Sequence, residues 1–173
     1  MIEITKYLQT VYEDLQRYVD NDVCLCKFKE LNFEAGALPD YEDINIQQLY
    51  LLRYAFAYAF EYSRMYLDVL SQMDGVNGIS VTSVGCGSMI DYWSLVHALE
   101  MKRKIDCSIR YVGIDKIDWS YKIPKRQNDE VHYLIGNAAD VFAHNSQFIS
   151  NVYFFPKSIS EFSDGELNAM ANS

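Results

Sequence analysis

Residues 79–99, ISVTSVGCGSMIDYWSLVHAL, predict a β-strand that turns into an apolar helix at Gly85, Cys86 and Gly87. The β-branched residues before the turn favour a strand, and the apolar residues after it recur at helical spacing. Glycines in such a turn let the backbone approach a ligand closely, and the first turn of the helix offers N–H groups to an anionic or polar group. We therefore predict a ligand-binding cradle here. The alternative is a tight turn with a purely structural role.

A second apolar strand, residues 109–114, ends in a carboxylate at Asp115. In open α/β sheets, ligands bind beyond the carboxyl ends of the strands, so Asp115 is expected to bind ribose hydroxyls. The alternative is that Asp115 caps the next segment or pairs with Lys116.

The spacing of apolar residues predicts helices and strands along the whole chain. Asp40 or Asp43 is expected to cap the second helix, which is apolar nearly all round and is therefore expected between the first helix and the sheet. A looser segment is expected at 118–129, because Pro124 limits a helix there. The predicted helices cover residues 3–20, 44–73, 89–102, 138–147 and 162–171, and the predicted strands cover 79–85, 108–114, 131–135 and 151–156.

The alternation of strands and helices after residue 79 predicts an α/β fold, a parallel sheet flanked by helices. We expect one domain over residues 1–173, in which a helical N-terminal segment (1–75) precedes the sheet-forming part (79–173). No uncharged segment reaches the roughly 18 residues of a membrane span. The N-terminus lacks the pattern of a secretory signal, so a cytoplasmic location is expected.

Charge and cysteine content disfavour several function classes. The formal net charge of -9 disfavours non-specific binding to nucleic acid and favours a basic or neutral small molecule. A further alternative is an acidic mimic that occupies a nucleic-acid-binding protein. Cys24, Cys26, Cys86 and Cys107 lack the spacing of a zinc site, so no metal is expected and the thiols are expected to be reduced. A redox or metal site at Cys24 and Cys26 is the less favoured interpretation.

Four short motifs follow one another at the ends of the predicted strands: VGCG at 84–87, YVGID at 111–115, LIGNA at 134–138 and NVYFFP at 151–156. In this order they resemble the first four strand ends of class I S-adenosylmethionine-dependent methyltransferases. The resemblance covers residues 79–160. It implies a Rossmann-like sheet with strand order 3-2-1-4 and S-adenosyl-L-methionine as the cofactor.

The resemblance also implies site residues. The glycines of the turn would approach the methionine part of the cofactor, and Asp115 would bind its ribose. An N-terminal helix would form a wall of the site, and the residues after the fourth strand would face the reacting methyl group. The implied cofactor contacts are Gly85, Gly87, Ser88, Asp115, Asn137, Arg53 and Tyr54, and the implied substrate contacts are Pro156, Lys157 and Ser158.

Several of these residues have a second interpretation. Asn137 is equally expected to cap the following helix. Arg53 is expected either to pair with a cofactor carboxylate or to form a salt bridge with a nearby acid. The stripe Tyr54, Tyr58 and Tyr62, spaced four residues apart, is expected to pack in the core or, alternatively, to line a pocket.

Two further alternatives concern the ligand and the completeness of the sheet. A dinucleotide site is less favoured, because Ile90 follows where a third glycine or alanine is wanted, and Asp115 lies 28 residues beyond Gly87 rather than roughly 20. The methyltransferase family ordinarily continues with three more strands, for which this chain has no residues. The fourth strand is therefore expected to be an open edge, covered by a second copy of the chain, a partner protein, segment 23–41 or the remainder of a longer parent.

The predicted function is that of an S-adenosylmethionine-dependent methyltransferase, or of its cofactor-binding portion, acting on an unidentified small molecule or protein. The alternative is a non-catalytic module that binds a partner protein through its acidic surface and its open sheet edge. Methyl transfer depends mainly on geometry and desolvation, so the sequence predicts no catalytic residue.

Overall fold

Four parallel strands form the centre of the molecule, and helices cover both faces of the sheet. The computed structural model describes residues 3–18, 40–73, 77–144, 149–159 and 162–171. The helices are α1 (Ile4–Tyr18), α2 (Ile44–Gln72), α3 (Ile90–Met101), α4 (Ala138–His144) and α5 (Asp164–Ala171), and the strands are β1 (Gly78–Val84), β2 (Ser108–Asp115), β3 (Glu130–Ile135) and β4 (Val152–Phe154).

The strand order is β3-β2-β1-β4, which confirms the predicted Rossmann-like α/β fold. β1 is paired on both sides, so that Val81 lies opposite Tyr111 of β2 and Val152 of β4. All pairs are parallel. The carboxyl ends of the four strands therefore meet at one edge of the sheet. The order of the strands reverses at β1, because β2 and β3 lie on one side of it and β4 lies on the other.

The two faces of the sheet contribute to two apolar clusters. In β2, Ile109 and Tyr111 join the larger cluster with α1, α2 and α3, whereas Val112 and Ile114 join the smaller cluster with α4 and α5. This division follows from the two-residue alternation of side chains along a strand. The nearly continuous burial of β1 and β2 is typical of strands that are covered on both faces.

α2 begins at the cap residue Asp43, whose carboxylate accepts a hydrogen bond from the Asn45 N–H at 2.8 Å. The helix lies between α1 and α3, and Ser94 of α3 donates a hydrogen bond to the Ala59 carbonyl of α2 at 3.1 Å. α2 also reaches the sheet, because the Tyr66 ring stacks on Phe154 of β4. Phe60 remains 66% exposed, so the helix is less enclosed than its apolar composition predicts.

Some predicted elements differ in length, and some fall outside the described residues. α3 begins one residue later than predicted, because Met89 has a left-handed backbone (φ 66°). β4 ends at Phe154, before Pro156, which has no N–H to donate to a ladder. Residues 19–39, with Cys24 and Cys26, and residues 145–147 lie outside the described residues. Within the described part of the chain, no helix is long and apolar enough to cross a membrane.

Candidate functional site

A cleft of about 310 Å³ opens where the four strands end. Gly85 follows β1, Asp115 ends β2, Gly136 follows β3 and Ser158 follows β4, and all four line the cleft. Ligand sites in open α/β sheets occur at this edge, and small-molecule pockets typically begin at about 300 Å³. The cleft is therefore the candidate site.

The glycine turn and the acid of β2 are in direct contact. The Gly87 N–H donates a hydrogen bond to Asp115 Oδ2 at 2.7 Å, and the Ile117 N–H donates to Oδ1 at 3.0 Å. Burial raises the pKa of the Asp115 carboxyl, and these two N–H donors act against that shift. Two residues that lie 28 positions apart in the sequence thus converge on one wall of the cleft.

Gly85 allows Ser158 to pack closely against the turn after β1. Its φ is +74°, and a Cβ placed there would lie 2.5 Å from the Cβ of Ser158. Ser158 is buried, and its hydroxyl donates a hydrogen bond to the Val84 carbonyl. The space that the missing side chain leaves at Gly85 is therefore filled by the loop after β4 rather than left open for a ligand.

Lys157 connects that same loop to α2. Its Nζ lies 2.6 Å from Glu61 Oε1 and 5.5 Å from the centre of the Tyr58 ring. Its backbone has a positive φ of 61°. Pro156, Lys157 and Ser158, the three predicted substrate contacts, all line the cleft.

Tyrosines of α2 form the wall opposite the strand ends. Tyr50, Tyr58 and Tyr62 line the cleft, and the Tyr58 and Tyr62 rings stack with centroids 5.7 Å apart. Tyr62 also packs on Phe154 of β4. Of the predicted stripe, Tyr58 and Tyr62 therefore line the cleft, and Tyr62 also belongs to the core. Trp119 completes this wall, 5.4 Å from the Tyr50 ring.

Three predicted cofactor contacts lie outside the cleft lining. Asn137 caps α4, because its Oδ1 accepts a hydrogen bond from the Ala139 N–H at 2.9 Å, although its neighbours Gly136 and Ala138 do line the cleft. Tyr54 stacks on Tyr58 with centroids 5.4 Å apart. The guanidinium of Arg53 lies 5.0 Å from the Tyr54 ring, and Arg53 is exposed.

Asp91 is a site residue that sequence reasoning did not single out. It lies in the first turn of α3, lines the cleft and is only 1% exposed. Tyr111 Oη donates to both of its carboxylate oxygens at 3.0 Å. Burial raises the pKa of the carboxyl to about 6, and the hydroxyls of Ser83 and Tyr111 limit the rise. The sequence signal for Asp91 is that it is the single acid of the stretch 79–99.

Cys86 is not suited to nucleophilic chemistry. It is buried against Gly113, where an added Cβ would lie 2.7 Å from the Cys86 sulfur. Burial raises the pKa of its thiol well above the ordinary value, so the reactive thiolate is disfavoured. Among the residues that the structure describes, no group of three or more His, Cys, Asp or Glu side chains is arranged to hold a metal ion.

Comparison with known proteins does not assign a family. No protein-family model matches the sequence, and neither the curated proteins nor the solved structures give a match.

Proposed function

We propose that this chain binds S-adenosyl-L-methionine and acts as a methyltransferase domain on a small-molecule or protein acceptor. The observation that carries the proposal is the contact between Gly87 and Asp115 at the carboxyl ends of β1 and β2. A carboxylate held at this position by backbone N–H groups retains lone pairs for the two hydroxyls of a ribose.

The charge of the cleft favours this ligand over a dinucleotide. Dinucleotide sites place a pyrophosphate at the N-terminus of the helix that follows the glycine turn. Here the carboxylate of Asp91 already accepts from the backbone N–H groups of the first turn of α3, and Asp115 adds a second acid to the cleft. Two carboxylates repel a pyrophosphate and attract a cation.

The remaining residues of the cleft are compatible with a nucleoside. Trp119 and Tyr50 offer aromatic surface to an adenine ring, and Gly136 and Ala138 lie at the end of β3. When bound, S-adenosylmethionine supplies an electrophilic methyl group. Pro156, Lys157 and Ser158 would lie on the side of the acceptor, and Tyr58 and Tyr62 would exclude water from it.

Isothermal titration with S-adenosylmethionine tests the proposal. We expect micromolar binding to the unaltered chain and a loss of at least roughly tenfold in affinity for Asp115→Ala, because a charged hydrogen-bonding partner of the ribose is removed. Asp118→Ala is the matched control, since Asp118 is an exposed acid three residues further on that pairs with Lys122. An absence of binding heat in the unaltered chain would contradict the proposal.

The open edge of the sheet supports a second candidate function, that of a binding module for a protein partner or a second copy of the chain. β4 has three residues and pairs with β1, and no strand in the described ranges pairs with its other edge. Unpaired N–H and C=O groups at such an edge are a template for strand addition. This candidate requires no cofactor.

A further inference from the structure

One buried carboxylate of the cleft, that of Asp91, has no basic partner among the described residues. Tyr111 of β2 donates a hydrogen bond to it, and burial and the negative charge of Asp91 raise the pKa of the Tyr62 and Tyr66 phenols of α2. Among the described residues, the hydrogen-bond donors to its carboxylate are hydroxyls and backbone N–H groups. Within the described ranges, no Lys, Arg or His forms an ion pair with it.

The surrounding side chains keep this carboxylate ionised without neutralising it. The folded pKa of about 6 lies below neutral pH, so Asp91 is predominantly charged at pH 7. The phenol of Tyr66 is fully buried beside it, and burial together with the negative charge of Asp91 raises the pKa of that phenol. A buried charge that lacks an opposite charge is costly to the fold, and a ligand cation would remove that cost.

Two buried hydroxyls, those of Ser88 and Tyr66, have no hydrogen-bond partner among the described residues. Ser88, three residues before Asp91, is 2% exposed and lines the cleft, and its Oγ has no hydrogen-bond partner among the described residues. Tyr66 Oη is likewise buried and unpartnered in the described part of the chain. Buried hydroxyls normally have a partner, so an oxygen such as Ser88 Oγ indicates a missing ligand group or water.

We propose that Asp91 and Ser88 form an ammonium-binding subsite at the α3 end of the cleft. An ammonium group brings three N–H donors and a positive charge, which suit a carboxylate and a hydroxyl oxygen, and the neighbouring Tyr62 ring adds cation–π attraction. The assignment of an ammonium group rests on the residues of the subsite, whereas the molecule that carries this group follows from the proposed function. The ammonium belongs either to the amino-acid part of the nucleoside ligand or to a separate amine that accepts the methyl group.

Binding measurements on matched nucleosides test the subsite and separate the two sources. S-adenosylhomocysteine carries an ammonium group, and methylthioadenosine is a nucleoside without one. If the nucleoside provides the ammonium, Asp91→Asn lowers the affinity for S-adenosylhomocysteine roughly tenfold or more, because one charged hydrogen bond is lost. The affinity for methylthioadenosine is then unchanged. Ser88→Ala lowers the affinity for S-adenosylhomocysteine by a smaller factor and likewise leaves that for methylthioadenosine unchanged. The control Asp118→Asn changes neither affinity.

A second titration covers the other source. A simple diamine such as putrescine is titrated into protein saturated with methylthioadenosine. If a separate amine provides the ammonium, putrescine binds to the unaltered protein and does not bind to Asp91→Asn. The affinity for each nucleoside is then the same in the variant as in the unaltered protein. Thermal melting of each variant verifies that it is folded before binding is compared.

The results distinguish failure of the subsite from failure of the proposed function. If the nucleosides bind but no amine-bearing ligand depends on Asp91, the subsite is overturned and the proposed function stands. If putrescine, titrated without nucleoside, binds in an Asp91-dependent manner and no nucleoside binds, the subsite stands and the proposed function is overturned. If no ligand binds, both are overturned.

Discussion

Asp91 is a single residue whose charge lowers the stability of the folded protein. Its carboxyl is buried beneath the cleft, and burial raises its pKa from 3.8 to about 6. An acid whose folded pKa is raised favours the folded state when it is protonated. Its ionisation therefore costs stability, a cost that is absent below the unfolded pKa of 3.8 and fully present above about 6. Strongly shifted acids in clefts are typical of functional sites.

The first prediction follows from the loss of stability that the ionisation of Asp91 causes. Asp91→Asn removes the ionisable group and leaves an oxygen that still accepts from Tyr111. Between pH 4.5 and pH 8, the stability of the variant relative to the unaltered protein should rise by about 2 kcal/mol, as expected from the size of the pKa shift. Urea unfolding at a series of pH values measures the difference, and Asp118→Asn controls for the loss of a surface acid. A stability difference that is constant with pH would contradict the prediction.

The sequence predicts some residues of the candidate site and not others, for physical reasons. Gly87 and Asp115 are predictable because each marks the end of a strand, and parallel strands end at one edge of a sheet. Asp91 is not, because an acid in the first turn of a helix is ordinarily a surface residue that interacts with the helix dipole. Its burial depends on Tyr111 and on α2, which are distant in the sequence.

At the scale of the elements, the irregular segment between β2 and β3 is stabilised by side-chain hydrogen bonds and not by pairing with a strand. Asp129 is buried and accepts hydrogen bonds from the Tyr92 hydroxyl at 2.6 Å and from the Ile109 N–H at 3.1 Å. Arg126 contributes two hydrogen bonds to the Asp129 carboxylate, each 2.8 Å long, and a third to the Cys107 carbonyl. This network attaches the segment to α3 and to the start of β2.

The second prediction concerns that network. Arg126→Met leaves the Asp129 carboxylate without its charged partner, and removing one partner of a buried pair typically costs about 3 kcal/mol. Chemical denaturation measures the loss. Arg110→Met is the control, because Arg110 and Glu130 form an exposed pair at 4.0 Å that should contribute less than about 1 kcal/mol. Equal losses in the two variants would contradict a special role for Arg126.

The order of the elements is predictable from periodicity, whereas their ends depend on tertiary contacts. The change from helical spacing to short β-branched runs after residue 79 correctly predicts four parallel strands. β4 is shorter than its apolar run, because Phe155 leaves the ladder and packs near Phe162. The position of α2 against α3 depends on Ala59 and Ser94, a close helix contact that no local pattern reveals.

At the scale of the whole molecule, the outer edge of β4 pairs with no strand in the described ranges. Tyr153 is 47% exposed on this strand, and Ile149, three residues before it begins, is 82% exposed. Closed two-fold pairing of two such edges would join two sheets into one. The formal net charge of -9 opposes self-association, so the pairing should be stronger at higher salt.

The third prediction is that the chain has the mass of two copies in solution if β4 is the contact. Light scattering coupled to size exclusion measures this mass. Ile149→Lys places a charge beside the edge and should shift the mass towards one copy. Ile105→Lys, which changes an exposed isoleucine between α3 and β2, should not. A monomer in the unaltered protein would exclude pairing through this edge and would leave the cofactor proposal untouched.

The position of Trp119 gives the protein an optical reporter of its own. The chain has two tryptophans, and Trp93 stacks on His97 with centroids 4.9 Å apart, whereas Trp119 lies in the cleft beside Tyr41 and Tyr50. Light absorbed by these tyrosines is transferred to the neighbouring indole, and a base that stacks on the indole quenches its emission. The occupancy of the cleft can therefore be followed by fluorescence without a label.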